Sequence, residues 1–232
     1  MPEWDPPQKP AEYAESRLIE SILEGCFPVD SRLPGERELS SQLGVTRPTL
    51  REALQRLARD GWVEIRHGRA TRVRNYWQEG NLAVLSAMVR HPDHLPEDFV
   101  SNLLAVRAFM APEYTRLAVQ NEPGTVVWAL EACLNLAEAP EAYSQADWKL
   151  HHTLTIASGN PVFTLILNGF EELYQVIGSV YFTSPGARHA SHAFYLDLRE
   201  AVQAGDPQQA AEVTRNMMSN SLRLWRIATS IR

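Results

Sequence analysis

The sequence predicts a mainly α-helical protein in two parts: three short helices with a β-hairpin, followed by an antiparallel bundle of about seven helices. Three observations support this fold class. Apolar residues recur at three- and four-residue spacing along most of the chain, which is the period of an α-helix. Strand-like alternation is confined to residues 62–74, and prolines and glycines separate the periodic segments. We place the boundary between the parts after Trp77, which gives domains at 1–77 and 78–232.

The composition is that of a folded protein, with 44% hydrophobic and 22% charged residues among 232. The first residues lack the basic and apolar regions of a signal peptide. The longest near-apolar run, at 82–89, is too short to span a bilayer. Cys26 and Cys133 lie far apart in the sequence, so we interpret them as reduced thiols and expect a cytoplasmic protein with no membrane partner.

Charge is distributed unevenly along the chain, whose formal net charge is −6. Residues 32–75 contain ten arginines, no lysine and five acidic residues, a balance of +5. Residues 78–232 contain ten basic and sixteen acidic residues, a balance of −6. A basic part joined to an acidic one indicates that the first part faces a polyanion, although helices with many salt bridges would also concentrate arginine.

Two short helices open the N-terminal part. Residues 11–24 carry apolar side chains at helical spacing, and Gly25 ends that helix. Residues 36–43 follow a Leu-Pro-Gly turn and are predicted to form a helix that buries Leu39 and Leu43.

A third helix is predicted to begin after Thr46, whose hydroxyl can cap it, while Pro48 is tolerated in its first turn. The apolar positions of this helix form one buried stripe: Leu50, Leu54 and Leu57. Arg47 and Arg51 lie four residues apart on another face, so we expect both to be exposed at the N-terminal end.

A β-hairpin is predicted after the third helix, with strands at 62–66 and 71–74. Its apolar side chains are expected to face one way: Val63, Ile65 and Val73. Its arginines can point elsewhere: Arg66, Arg72 and Arg74. Two helices joined by a glycine turn, the second with a cationic leading end, and a basic hairpin after them are typical of a winged helix-turn-helix.

This arrangement predicts an interface with double-stranded DNA. Arginine offers a planar pair of donors that can grip a phosphate or a guanine edge, which suits both helix and hairpin. The alternative is a small structural domain with a solvated charged face. We favour the DNA interface because the turn, the helix spacing and the hairpin agree.

The segment LPGERELSSQLGVTRPTLREALQRLARDGWVEIRHGRATRV resembles the winged helix of the GntR family of transcription regulators, and most closely its FadR-type regulators of fatty-acid metabolism. The resemblance implies operator binding through the residues that match the family's DNA contacts: Arg37, Thr46, Arg47, Thr49, Arg51, His67 and Gly68. It implies base or phosphate contacts for the arginines, phosphate contacts for the threonines and a minor-groove position for the tip of the hairpin.

The C-terminal part is predicted to be helical throughout and to form an antiparallel effector-binding bundle. The predicted helices lie near 80–90, 97–120, 125–138, 142–158, 161–182, 187–204 and 207–229. Prolines stand in or just before most of their first turns. A bundle that serves only as a dimerisation scaffold would share this pattern.

Two features indicate a ligand cavity in the bundle. Residues 161–182 carry small and tyrosine side chains among apolar ones: Asn168, Gly169, Tyr174, Gly178, Ser179 and Tyr181. Small residues leave space and tyrosines offer an apolar wall with a polar tip, but composition alone favours tight helix crossing at the glycines. On the last helix Ser221 and Trp225 share one face, whereas Arg215 lies off it.

The segment IASGNPVFTLILNGFEELYQVIGSVYF also resembles the FadR-type regulators, whose corresponding domain binds long-chain acyl-coenzyme A (acyl-CoA). The resemblance implies that Tyr174 and Tyr181 line the cavity. It places near the coenzyme and the thioester three residues of the last helix: Arg215, Ser221 and Trp225. Met218 stands where the family pattern has a glycine, so the pocket is expected to be narrower or redirected.

The resemblance further implies a homodimer that represses fatty-acid degradation genes, activates unsaturated fatty-acid synthesis genes and leaves its operator on binding acyl-CoA. Acyl-CoA is the expected effector, and no cofactor is expected.

A metal site is the alternative reading of the bundle. Asp147 and His151 lie four residues apart on one helical face, as metal ligands often do. Many GntR relatives complete such a site with two histidines, and the matching positions here are Tyr195 and Met217. Neither is a good ligand, so the sequence predicts no metal there. A regulator that senses a small carboxylate through a metal remains the second hypothesis.

Enzyme classes find little support. The sequence has no GxSxG, no glycine-rich phosphate loop, no HExxH and no zinc-type cysteine cluster. Asp147 and His151 could serve acid–base chemistry, but no nucleophile or oxyanion donor can be assigned beside them. We therefore predict a regulator, with an enzyme fused to a DNA anchor as the alternative of a different class.

Overall fold

The computed structural model describes residues 9–66, 68–91 and 94–230. Contacts divide the chain into two compact units, the first ending at Leu95 and the second beginning at Pro96. The mainly α-helical class is confirmed, since the described residues form twelve helices and one two-stranded sheet. Among the described residues, no helix is both long and apolar enough to cross a membrane.

Three helices open the first unit: α1 (Pro10–Leu23), α2 (Glu36–Leu43) and α3 (Arg47–Asp60). The predicted cap of α3 is confirmed, since the Thr46 hydroxyl accepts a hydrogen bond from the backbone N–H of Thr49 at 3.3 Å. Gly44 ends α2 and Gly61 ends α3 in the left-handed region, at φ of 68° and 100°, where other residues would be strained.

The core of the first unit lies between α1 and α3. The predicted stripe on α3 is buried: Leu50, Leu54 and Leu57. It packs with Leu18 of α1 and with Trp62, which are also fully buried. Each such leucine stabilises the unit by about 1.5–3 kcal/mol. Leu39 is buried as predicted, but Leu43 is only half-buried because it is the last residue of α2, beside the turn.

The hairpin consists of β1 (Val63–Glu64) and β2 (Arg72–Val73), which pair antiparallel with Val63 opposite Val73. Both valines are fully buried. The prediction that Ile65 faces the same way is wrong, since Ile65 is 48% exposed. Strand pairing stops at Glu64, so the alternation of side chains does not extend to the next residue.

An unpredicted third segment widens this sheet. The chain between α1 and α2 runs along β2, where the Leu33 N–H donates to the Thr71 carbonyl at 2.8 Å and the Val73 N–H donates to the Ser31 carbonyl at 2.9 Å. The pairing ties the hairpin to the turn before α2, so the hairpin is anchored on both sides.

Two further helices complete the first unit: α4 (Tyr76–Glu79) and α5 (Leu82–Val89). The Asn81 side chain caps α5 and also donates to the Arg59 carbonyl at the end of α3, at 3.3 Å. Because α5 packs against α3, the compact unit reaches beyond Trp77.

The second unit is a bundle of seven helices: α6 (Phe99–Asn121), α7 (Pro123–Glu131), α8 (Pro140–Ala157), α9 (Pro161–Asn168), α10 (Glu171–Tyr181), α11 (Pro185–Gln203) and α12 (Pro207–Ser230). Helix α8 lies at the centre and packs against four others: α6, α7, α9 and α10. Helix α12 packs along α6 and α11. Proline begins five of the seven helices, as the sequence predicted.

Three helices predicted for the bundle differ from the structure. The one expected near 80–90 is α5, which lies in the first unit. The helix expected at 125–138 ends at Glu131, because the chain turns there so that Cys133 is buried in the core. The helix expected at 161–182 is broken at Gly169 into α9 and α10. Glycine is a poor helix former, and the break lets Phe170 pack inward.

Candidate functional site

The leading end of α3 presents the polar side chains predicted to meet DNA. Thr46 and Arg47 are exposed there, and Arg37 is exposed on α2. The hydroxyls of Thr46 and Thr49 lie 2.8 Å apart. The cap therefore fixes the position of both threonines, and the arginine beside them projects from the first turn of the helix, whose N-terminus favours anions.

Arg51 is exposed as predicted, but it has a partner within the unit. Its Nε donates to a carboxylate oxygen of Glu36 at 2.7 Å. Both side chains remain largely in solvent, so the pair contributes no more than about 1 kcal/mol. A phosphate group can therefore replace Glu36 as the partner of Arg51 at low cost.

Some arginines of the helix and the hairpin are held by carboxylates within the unit. Arg56 pairs with Glu52 at 2.7 Å and with Glu15 at 3.5 Å. Arg72 pairs with Asp30 and with Glu64, so it holds the sheet together from within the unit. These two arginines serve folding rather than an outside partner.

Four exposed arginines of this region form no ion pair with a described residue: Arg32, Arg37, Arg47 and Arg69. Two of them are predicted DNA contacts. His67 lies outside the described residues. Gly68 is exposed at the turn of the hairpin with a φ of 70°, which glycine adopts easily.

A surface groove runs between α2, α3 and the hairpin. The residues on its walls that carry charge or form the hairpin tip are Glu36, Arg51, Arg66, Gly68 and Arg69. The structure thus brings Arg51 and Gly68 together on one groove, with Arg37, Arg47, Thr46 and Thr49 on the adjoining helices. A double-stranded polyanion can therefore contact α3 and the hairpin at the same time.

The second unit contains a cavity lined by residues of α6, α8, α9, α10, α11 and α12. Four of the five predicted effector residues line it: Tyr174, Tyr181, Ser221 and Trp225. Arg215 does not, because it is exposed on the outer side of α12. The rest of the wall is mainly apolar and includes Leu103, Met110, Phe163, Phe170 and Ile177.

The cavity is narrow. Its volume is about 70 Å³, well below the roughly 300–1,000 Å³ of a pocket that holds a drug-sized ligand. Met217 and Met218 are both buried and line it. Both side chains occupy part of the space around the cavity, so a large ligand can enter only if side chains or helices move; narrowing by Met218 itself stays a prediction.

Gly178 of α10 fits both interpretations of the glycines at 161–182, space for a ligand and a close approach of two helices. It lines the cavity, and a Cβ atom added to it would lie 2.2 Å from the Ser144 hydroxyl oxygen on α8. Tight crossing of α8 and α10 therefore explains this glycine, as composition alone favoured.

A buried charged cluster forms one end of the cavity. Arg107 of α6 donates from Nη2 to Oδ2 of Asp147 at 2.9 Å. The Tyr174 hydroxyl donates to the same oxygen, and the Tyr195 hydroxyl donates to Oδ1 at 3.1 Å. The Arg107 guanidinium also lies over the Tyr174 ring, 4.9 Å from its centre.

Burial and the charge of Arg107 together determine the pKa shifts in this cluster. Burial alone would raise the pKa of Asp147, but the charge of Arg107 and the hydrogen bonds from Tyr174 and Arg107 lower it. Burial and the charge of Arg107 together lower the pKa of His151 to about 3, so its imidazole is neutral at pH 7. The Tyr114 hydroxyl lies 2.7 Å from its Nδ1.

These contacts bear on the metal hypothesis. The Asp147 oxygens already accept bonds from a guanidinium and two hydroxyls, donors that a metal ion would have to displace. Met217 lines the cavity and offers only a thioether. Asp147 is thus the partner of the Arg107 cation, and His151 is a neutral imidazole beside it.

Sequence reasoning missed Arg107. A single arginine inside the apolar run LLAVRAFM of a predicted helix was the available signal, because a buried cation needs an anionic partner. Asp147 was identified, but as a metal ligand rather than as that partner.

Comparison with known proteins places this geometry in a family. The model of the gntR family of bacterial regulatory proteins matches residues 10–73, and that of the FadR C-terminal domain matches 74–230. The fatty acid metabolism regulator protein of Shewanella sp. (strain MR-4) is 43% identical over 219 residues, 93% of this chain and 90% of that protein. The protein of that name from Shewanella frigidimarina is 43% identical over 217 residues, with the same coverage.

A solved structure shares the fold. The structure described by the words "Lar controls the expression of the Listeria monocytogenes agr system and mediates virulence" is 17% identical, with a TM-score of 0.51 over 97% of this chain and 99% of that chain. Together with the family matches, the arginine-bearing winged helix and the seven-helix bundle lead to one assignment. The chain belongs to the GntR family of bacterial regulatory proteins and carries the FadR C-terminal domain, so it is a DNA-binding transcription regulator and not an enzyme.

Proposed function

We propose that the protein regulates genes of fatty-acid metabolism in the cytoplasm, binds palindromic operators as a homodimer, and leaves them when long-chain acyl-CoA enters the second unit. The DNA-bound form represses degradation genes and activates unsaturated fatty-acid synthesis genes. The 43% identity to fatty acid metabolism regulators supports the gene class. The observation that carries the effector assignment is the narrow apolar cavity bordered by Tyr174, Tyr181, Ser221 and Trp225.

The DNA half of the proposal relies on exposed arginine. Arg37 and Arg47 have no ion pair with a described residue, and Arg51 exchanges Glu36 for phosphate or a base. A guanidinium that binds a guanine edge through two donors contributes about 1–3 kcal/mol of discrimination. A palindromic operator presents two such half-sites to the two winged helices of a dimer.

The effector half relies on the apolar wall. Each methylene that leaves water contributes roughly 0.8 kcal/mol, so a long acyl chain supplies enough free energy to displace side chains. Three of these side chains are flexible methionines: Met110, Met217 and Met218. Because the volume of the cavity is only about 70 Å³ in this structure, binding of a long acyl chain requires a rearrangement, and the ligand therefore prefers a wider state of the cavity.

The polar part of the ligand needs other partners. Ser221 and Trp225 lie on the cavity side of α12, where a thioester can reach them, and Arg215 is exposed on the same helix, where it can meet a coenzyme phosphate. The three residues thus divide between the cavity and the surface, as a ligand with a buried tail and a solvated head requires.

A mobility-shift titration tests this function. Operator-bound protein is mixed with acyl-CoAs of increasing chain length, with free fatty acid and with coenzyme A alone. Long acyl-CoAs should release the DNA at micromolar concentration, and the two fragments should act much more weakly. Chain-length preference reports how far Met218 narrows the opened pocket.

A matched pair of variants locates the site. Ser221→Asn adds volume at a buried cavity position, whereas Ser219→Asn changes an exposed serine on the same helix. The first variant should bind operator normally and need far more acyl-CoA for release, and the second should behave as wild type. If no acyl-CoA displaces the DNA, the lipid-sensing proposal fails while the DNA-binding assignment stands.

A further inference from the structure

A cluster of possible metal ligands lies in the first unit and shares no residue with the groove predicted to meet DNA. Glu20 and Glu24 lie four residues apart at the end of α1, and His94 approaches them from the chain after α5. One ligand atom from each lies within 4.8 Å of the other two. His94 Nε2 is 3.9 Å from a Glu24 oxygen.

A sulfur donor lies beside these three residues. The Cys26 thiol points to the other Glu24 oxygen at 3.7 Å, just past the end of α1. Cys26 is exposed and has no disulfide partner. Two carboxylates and one imidazole therefore meet at one place, and the exposed thiol lies next to one of the carboxylates, from where it can move in as a fourth ligand. This mixture of oxygen, nitrogen and sulfur donors suits Zn²⁺, which prefers four ligands.

The present spacing is looser than that around a bound ion. Zinc–nitrogen and zinc–oxygen bonds are about 2.0–2.2 Å, so the ligand atoms must move closer than they now lie. Exposed side chains can make this adjustment at small cost, and Glu24 is 43% exposed. Arg17 now pairs with Glu20 and would be displaced from that carboxylate. The pair is exposed, so its loss costs little.

We propose that Glu20, Glu24, His94 and Cys26 bind one Zn²⁺ ion. The ion fastens the segment that carries His94, directly before the end of the first unit at Leu95, to α1. Helix α1 packs against α3, so the metal stabilises the unit that contains the helix predicted to read DNA. This site is separate from Asp147 and His151, for which the sequence predicted no metal.

Metal titration of the full chain tests the proposal. The protein is first treated with chelator and then titrated with zinc chloride, with binding followed by calorimetry and by melting temperature. One equivalent should bind and raise the melting temperature, because an ion that binds only the folded state stabilises it. Cobalt chloride used in place of zinc should give the visible absorption of a four-coordinate ion together with a thiolate charge-transfer band.

Four variants assign the ligands. His94→Ala and Glu24→Gln should lose the one-equivalent binding and the rise in melting temperature. Cys26→Ser should keep the histidine-dependent binding at weaker affinity and lose the thiolate band. His189→Ala, which removes an exposed histidine of α11, should bind as wild type.

Circular dichroism of the metal-free variants checks that each remains folded, since all four positions lie at the surface or are half-buried. Zinc binding that survives in His94→Ala, or no zinc binding at micromolar concentration in the wild-type protein, would overturn the proposal. Normal operator binding or acyl-CoA release has no bearing on either result, so this test stands apart from that of the proposed function.

Discussion

The arginines at the two predicted sites, one in each compact unit, differ in their surroundings. In the first, Arg37 and Arg47 stand in solvent, and Arg51 makes one exposed pair with Glu36. In the second unit, Arg107 donates a hydrogen bond to the buried Asp147, which also accepts hydrogen bonds from two tyrosine hydroxyls. An exposed cation can exchange partners at little cost, whereas a buried one cannot lose its partner without a large penalty. The first arrangement suits reversible contact with a polyanion, and the second fixes the end of a cavity.

The largest expected effect comes from removing the buried cation. Arg107→Met should lower the free energy of unfolding by about 3–5 kcal/mol, because Asp147 is left as an unpaired buried charge. Arg116→Ala removes the partner of Glu113, which lies 2.7 Å away and is 52% exposed, so no buried charge is left unpaired and the loss should be less than about 1 kcal/mol. Urea unfolding measures both. Similar losses for the two variants would remove the contrast between buried and exposed pairs.

The burial of His151 should make the free energy of unfolding depend on pH in the acid range. Its pKa is about 3 in the folded protein and about 6.5 when unfolded, so the unfolded chain binds one more proton between these values. Stability from this group is present above pH 6.5 and is lost as the pH falls, by about 1.4 kcal/mol per pH unit. Wild type should therefore lose about 2–3 kcal/mol between about pH 6 and pH 4 through this residue.

Replacing the histidine isolates that contribution. His151→Gln should show a slope of stability against pH that is smaller by one proton over the same range, whatever its stability at neutral pH. Urea unfolding at a series of pH values measures the slope. An unchanged slope would mean that His151 is not held neutral by its surroundings.

The close approach of α8 and α10 predicts a smaller loss. Gly178→Ala places a methyl group 2.2 Å from the Ser144 oxygen and should destabilise the bundle by about 1–3 kcal/mol. Gly124→Ala is the control, since nothing lies within 4 Å of the added atom in α7. It should be neutral or slightly stabilising, because alanine favours a helix. Thermal unfolding of both variants gives the comparison.

The arginines of the first unit should differ in their contribution to DNA binding. Arg47→Ala should reduce the slope of log affinity against log salt by about 0.9 if it loses one phosphate contact. Arg56→Ala should leave that slope unchanged, because Arg56 is held by Glu52 and Glu15 within the unit. Fluorescence anisotropy with an operator duplex at several salt concentrations measures both slopes. Equal slopes for the two variants would contradict the distinction between Arg47, which is predicted to contact phosphate, and Arg56, which is held by carboxylates of its own unit.

Features set by neighbouring residues could be predicted from the sequence. The bounds of α2, the cap at Thr46 and the stripe of Leu50, Leu54 and Leu57 depend on helix period, capping and glycine stops within a few residues. The prolines that begin five bundle helices are local signals of the same kind.

Features set by distant contacts could not be predicted. The pairing of Ser31 and Leu33 with β2 and the exposure of Ile65 depend on where the sheet ends. The bond between Arg107 and Asp147 joins two helices far apart in sequence, so helical period alone cannot show it. The sequence predicted Tyr174 to line the cavity and Tyr195 to stand in place of a metal ligand. That both hydroxyls donate to Asp147 depends on the packing of three helices.

The central claim is that DNA binding and ligand binding are coupled, and one measurement tests it directly. The affinity of the protein for a long-chain acyl-CoA is determined by calorimetry with and without a saturating operator duplex. Coupling is reciprocal, so operator should weaken acyl-CoA binding by the same factor by which acyl-CoA weakens operator binding, roughly 5–150-fold for a typical coupling of about 1–3 kcal/mol. Equal acyl-CoA affinity in the two conditions would contradict the account, since the ligand would then have no means of releasing the DNA.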